Sequence, residues 1–242
     1  MAAYRRGLRL PGSVVVVAGA GGAVGRATAD ALTAHGAHPV LVGDAGRSAD
    51  PAWAHEAARQ VVERRGHIAG WVQFVDAQAH GGVLELAADE VHGLGADMLG
   101  AVHGARAALP HMVARGSGVL VVVASLHGQV ARPYAAPPGM AAAAARVLAA
   151  ALRQELRLGG VRGVAVTTVL APDIGPASGS FPAGSSERVA ATVVSRLRHP
   201  GLEKVAGGPL AKAVVHGHAL VPVLTEWLVA RRPGRPRPDP DR

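Results

Sequence analysis

The segment VVVVAGAGGAVGRATADALTAHGA constrains the fold of this chain more than any other. A run of β-branched residues leads straight into a glycine cluster, and the cluster into an alanine-rich stretch of helical period. Strand, tight turn and helix in immediate succession are the opening of a β-α-β unit. Gly19, Gly22 and Gly25 have GxxGxxG spacing, and Gly21 adds a fourth glycine. A dinucleotide pyrophosphate needs a sharp turn, backbone close enough to touch it, and the free N–H groups of a helix N-terminus aimed at its charge. Glycines at these spacings supply all three, so Gly19, Gly21, Gly22 and Gly25 are the candidate cofactor-binding residues. NAD or NADP is the candidate cofactor. Tight packing with no ligand is the competing reading of the same glycines.

Beyond this unit, short apolar runs alternate with longer segments of helical period, which predicts parallel strands joined by crossover helices. Strands are expected at 13–18, 39–43, 71–76, 119–124 and 163–170, and helices at 23–35, 51–65, 88–115, 140–158, 185–198 and 220–231. The strands are almost wholly Val, Ile, Leu and Ala, as in a sheet covered on both faces. The expected architecture is α/β, a doubly wound parallel sheet in one domain over 1–230. A basic, proline-rich tail at 231–242 alternates proline with charge and is expected to be disordered.

The net charge of +8 suggests a polyanion partner until its distribution is considered. Arg5, Arg6 and Arg9 contribute +3, and five arginines against Asp239 and Asp241 contribute another +3 from 231 to 242, leaving +2 for the rest. With only 3% aromatic residues there is little to stack on bases. Neither nucleic acid nor membrane is therefore expected as a partner. No cysteine is present, the early apolar run is too short for a secretion signal, and no stretch reaches transmembrane length. A soluble cytoplasmic protein with no metal site is the expectation.

After the second strand, Asp44 is the candidate for gripping ribose hydroxyls, with Arg26 and Arg47 as alternatives for a 2′-phosphate, and a plain loop role equally open. Further along come GADMLGAVHGARAALPHM, GSGVLVVVAS, LRQEL and VTTVLAPDIGP. Together with AGAGGAVG, and in this order, these pieces resemble the short-chain dehydrogenase/reductase family. The resemblance implies a Rossmann-type fold and hydride transfer between NAD(P) and hydroxyl or carbonyl substrates. In that family a tyrosine moves the proton, a lysine four residues later lowers its pKa, a serine polarises the substrate oxygen and an asparagine supports a water relay.

Carried onto this chain, the serine is Ser125, while the tyrosine and lysine positions fall on Pro138 and Ala142. The asparagine position reads Asp97, and the family's NNAG reads Asp76-Ala77-Gln78-Ala79. Between the second and fourth family strands there is room for only one helix, which removes a strand that helps shape the adenine pocket. His80, His127 and Tyr134 remain as groups able to move a proton near the crevice, alongside Ser125 and Asp97. Each histidine is also readable as an ordinary loop residue.

Three functional readings follow. The first is a redox-impaired member repurposed for non-redox catalysis or small-ligand binding. The second is an active NAD(P)-dependent oxidoreductase with Tyr134 or a histidine as acid. The third is a non-catalytic subunit that pairs with an active homologue. Helices 88–115 and 140–158 are the surfaces on which the resemblance implies homo- or hetero-oligomers.

Overall fold

The structure, a computed structural model, describes residues 7–19, 22–43, 50–75, 82–172 and 185–231. Six strands run in the order β2-β1-β3-β4-β5-β6, every neighbouring pair parallel. They are β1 (Val14–Ala18), β2 (His38–Val42), β3 (Gly70–Val75), β4 (Gly118–Ser125), β5 (Val164–Ala171) and β6 (Glu203–Val205). The helices are α1 (Gly22–Ala34), α2 (Pro51–Arg65), α3 (Ala88–Arg115), α4 (Ala136–Leu158), α5 (Ser186–Arg198), α6 (Pro209–Leu220) and α7 (Pro222–Ala230).

Strand side chains alternate between two cores, as a period of two requires. Val14, Val16 and Ala18 face one side with Trp71, Leu120 and Val122, where α2, α3 and α4 close over them with Ala58, Ala105, Met112 and Ala145. Val15, Val17, Val72 and Val121 face the other, covered by Leu32 of α1 and Val189, Val193 and Leu197 of α5. The central strands are buried on both faces, which is why they read as unbroken apolar runs. The chain steps from β1 outward to β2, then back across β1 to β3. Strand order reverses there, and the crevice at the strand C-termini opens at such a switch point.

β2 forms one edge of the sheet, and among the described residues one helix, α2, lies between it and β3, as the shortened sequence predicts. His38 donates its N–H to Ser13 of the strand's inner flank, so the alternate residue Pro39 faces outward with no N–H to offer. That blunts the free edge against further strand pairing. α2 matches its expected span because its punctuation is local: Asp50 accepts from the Ala52 N–H at 2.8 Å, Pro51 begins the first turn, and Gly66 ends it at φ +81°.

Three features depart from expectation. α4 starts at Ala136 and not near 140, with Pro137 and Pro138 in its first turn, where a missing N–H costs nothing. These prolines begin the helix and do not precede it. β6 is a three-residue edge strand carrying Glu203 and Lys204, too short and polar for a periodicity signal. The expected helix at 220–231 is the second arm of a hairpin: α6 precedes it, and α7 begins at Pro222 after Val221 breaks the run. No helix among the described residues is long and apolar enough to cross a membrane.

Candidate functional site

The turn after β1 separates two uses of glycine. Gly19 is buried with φ +72°, and a Cβ there would lie 2.6 Å from the Phe74 carbonyl oxygen and 2.9 Å from Gln73 Nε2. Buried Gln73 is itself held, accepting from Trp71 Nε1 at 3.1 Å and donating to the Phe74 carbonyl at 3.2 Å. Gly19 is therefore required by the packing of β1 against β3. Gly22, at φ +74°, is exposed at the start of α1, and no described atom lies within 4 Å of where its Cβ would be. Gly25 is buried on the sheet-facing side of α1, whose first turn carries no acidic side chain. A helix N-terminus that begins at an exposed glycine and carries no acid in its own first turn suits a pyrophosphate. Gly21 lies outside the described residues.

Asp44, His80, Arg47 and residues 76–79 also lie outside the described residues, and Asp97 falls within α3 at a position whose side chain is not described. Gly43 closes β2 at φ +54°, where a Cβ would meet the Trp53 ring at 2.5 Å. Beside it, the free edge of β2 and α2 enclose a groove of about 510 Å³ lined by Leu41, Trp53, Glu56, Gln60 and Arg64. Glu56 accepts from Arg59 and Gln60, and the Arg59 bond above all holds its carboxyl down at about 2. This groove occupies the flank on which the shortened chain lacks a strand.

At the far side of the crevice, Ser125 ends β4 opposite Ala171 of β5. It caps the 3-10 turn Leu126–Gly128, its Oγ accepting the His127 main-chain N–H at 3.2 Å. His127 is 5% exposed, so it is part of the interior and not the loop histidine that its sequence context suggests. Tyr134 has φ +63°, a left-handed conformation that a bulky residue rarely adopts, and it is half exposed just before α4. Ser125 and His127 thus share one turn, which packs on the start of α4 where a Cβ on Gly139 would lie 3.0 Å from the His127 carbonyl oxygen, and Tyr134 precedes that helix along the chain.

The positions that replace the family's tyrosine and lysine are buried. Pro138 lies in the first turn of α4, and Ala142 is 0% exposed. Gly128 is pressed against that turn: a Cβ on it would lie 2.7 Å from the Ala142 Cβ and 2.7 Å from the Ala143 nitrogen. Sequence reasoning missed Arg146, one helical turn further on. It donates to the Gly128 carbonyl at 2.9 Å and from Nε to Glu203 Oε2 at 2.9 Å, tying the turn, α4 and β6 together. A cation four residues past Ala142 was the available signal, but its carboxylate partner is 57 residues away. Among the described residues no group of three or more His, Asp or Glu side chains is arranged to hold a metal.

A parallel sheet with helices on both faces and a switch point between β1 and β3 defines an α/β protein of the Rossmann type. The short-chain dehydrogenase family model matches residues 48–173, about half the chain, and the chain belongs to that family. At the level of sequence, no curated protein matches it. Among solved structures it is similar to a short-chain dehydrogenase from Streptomyces avermitilis, at 22% identity and TM-score 0.69, covering 89% of this chain and 96% of that one. A short-chain dehydrogenase/reductase from Burkholderia phymatum in complex with NAD aligns at 18% identity and TM-score 0.75, covering 96% and 99%. A gluconate 5-dehydrogenase from Burkholderia cenocepacia J2315 in complex with NADP and tartrate aligns at 17% identity and TM-score 0.71, covering 88% and 100%. At these identities the structural likeness speaks to the fold.

Proposed function

We propose that this chain uses the oxidoreductase scaffold of its family to bind a dinucleotide or a related small ligand, and that it does not carry out the family's hydride-transfer reaction. The observation that carries this reading is the contact between Gly128 and Ala142. The lysine of the family tetrad is replaced by a methyl group that forms part of the protein interior, and its neighbour Arg146 is engaged by Gly128 and Glu203. Without that cation no group holds a proton donor at a lowered pKa beside the reacting carbon. The pyrophosphate end fits better: no described atom lies within 4 Å of a Cβ on Gly22, and the first turn of α1 carries no acidic side chain. NAD(P) bound there would supply a hydride acceptor or donor, while Ser125 and His127 remain as polar groups for enolisation, dehydration or ligand binding.

A second reading, an active oxidoreductase with Tyr134 as acid, is favoured by the left-handed backbone of Tyr134, since such strain gathers at functional sites. The subunit reading draws support from Met98, Leu99 and Val113 on α3 and Met140 and Val147 on α4, all exposed. Calorimetric titration with NAD(H) and NADP(H), followed by a turnover assay on a panel of carbonyl substrates, separates the three. Binding with no turnover supports the proposal; turnover lost in Tyr134→Phe supports the second reading; copurification of an active homologue supports the third.

A further inference from the structure

The hairpin formed by α6 and α7 turns a broad apolar surface outward. Leu210, Leu220, Val221, Val223, Leu224, Trp227 and Leu228 are each at least half exposed or nearly so, from 49% at Trp227 to 82% at Leu220. In α7 the spacing of 223, 224, 227 and 228 collects these side chains on one face, whereas buried Thr225 turns inward, its Oγ1 3.1 Å from His218 Nδ1. The hairpin is anchored from beneath, because Ala211 and Val215 of α6 pack on Leu126, Val130 and Leu170, next to the turn that Ser125 caps. A contiguous apolar surface of this kind marks a contact site and not an ordinary soluble face.

Charge identifies the occupant. Lys212 is exposed on α6, and Arg231 ends α7 with its guanidinium 3.5 Å over the Trp227 ring. The sequence then places four arginines within 231–237, before either aspartate at 239 and 241. Glu226 is the one exposed acid of the hairpin. Two copies meeting through this face would bring their basic segments together. An anionic surface would instead be attracted by them. A Trp–Arg pair bordering an apolar face is the arrangement of a helix lying at a lipid interface, the ring at headgroup level and the cation in water.

We infer that α6 and α7 dock this protein on the surface of an anionic bilayer, with the apolar face entering the headgroup boundary and the following arginines held by the lipid charge. This departs from the expectation of no membrane partner, which rests on charge distribution and hydropathy and not on the exposure of the hairpin.

The test is flotation of the full chain with vesicles of phosphatidylcholine alone and of phosphatidylcholine with a quarter phosphatidylglycerol. Binding is expected to the anionic vesicles only. It should weaken on the order of tenfold in Leu224→Gln/Leu228→Gln, which changes exposed positions and leaves both cores intact. It should weaken at least as much when the four arginines of 231–237 become glutamine. Unchanged circular dichroism and thermal midpoint establish that both variants are folded. Absence of vesicle binding overturns the inference, as does binding indifferent to the leucine variant, which would belong to the arginines alone. A dimer that the leucine variant converts to monomer, without vesicle binding, assigns the face to a second copy.

Discussion

Gly128 and Ala142 meet so closely that a single methyl on the glycine would fall 2.7 Å from the alanine Cβ. The turn after β4 and the second turn of α4 are thereby packed as core. Ala142, the position to which the resemblance carries the family's lysine, is fully buried.

Ala142→Lys should therefore cost more than about 3 kcal/mol, because an ammonium is driven into a fully buried position packed against Gly128. Gly128→Ala should cost about 1–3 kcal/mol from overpacking against backbone atoms. Urea titration measures both. The double variant Pro138→Tyr/Ala142→Lys is expected to remain at background in a carbonyl reductase assay.

Gly19 and Gly22 should respond differently. Gly19→Ala combines a left-handed φ with a clash on the Phe74 carbonyl and is expected to lose about 2–4 kcal/mol. Gly22→Ala meets no described atom, so it should lose only about 1–2 kcal/mol from its φ. The same Gly22 variant should weaken NAD(H) binding in calorimetry, since its methyl would occupy the space a pyrophosphate needs.

Arg146 and Glu203 form a half-buried pair that also holds the Gly128 carbonyl. Arg146→Gln and Glu203→Gln should each destabilise by about 1 kcal/mol, and the double variant by less than their sum. A cycle that is strictly additive would mean that the two residues act independently.

His67 supplies a pH test. Burial, with the Arg115 guanidinium adding to it, holds its imidazole below the ordinary 6.5. The unfolded chain then binds this proton more readily than the native state. The associated stability is present above pH 6.5 and is lost as the pH falls below that value toward the native pKa. Unfolding midpoints measured over this interval should decline in the parent, and the decline should be shallower in His67→Gln.

Much of the architecture was legible because its signals are short-range. Asp50, Pro51 and Gly66 punctuate α2 within the helix's own turns, and Val14 to Val17 declare a doubly buried strand by composition. The family motifs likewise assign the serine to Ser125 and the tyrosine and lysine positions to Pro138 and Ala142, since positions can be counted by spacing along the chain. β6 was not legible, because three residues with two charges carry no periodicity and become a strand only when Thr168 to Leu170 offer them a ladder.

Spacing also could not say what surrounds a counted position. That Ala142 is closed off by Gly128, that His127 is interior, that Arg146 is engaged by Glu203 and that the face of α7 stays uncovered all depend on which distant segments come together. Strand periodicity, helix caps and glycine turns are interactions among chain neighbours, so they are written in order along the sequence. Packing, burial and charge pairing across 14 or 57 residues arise only after the sheet and its two helical layers have chosen their partners.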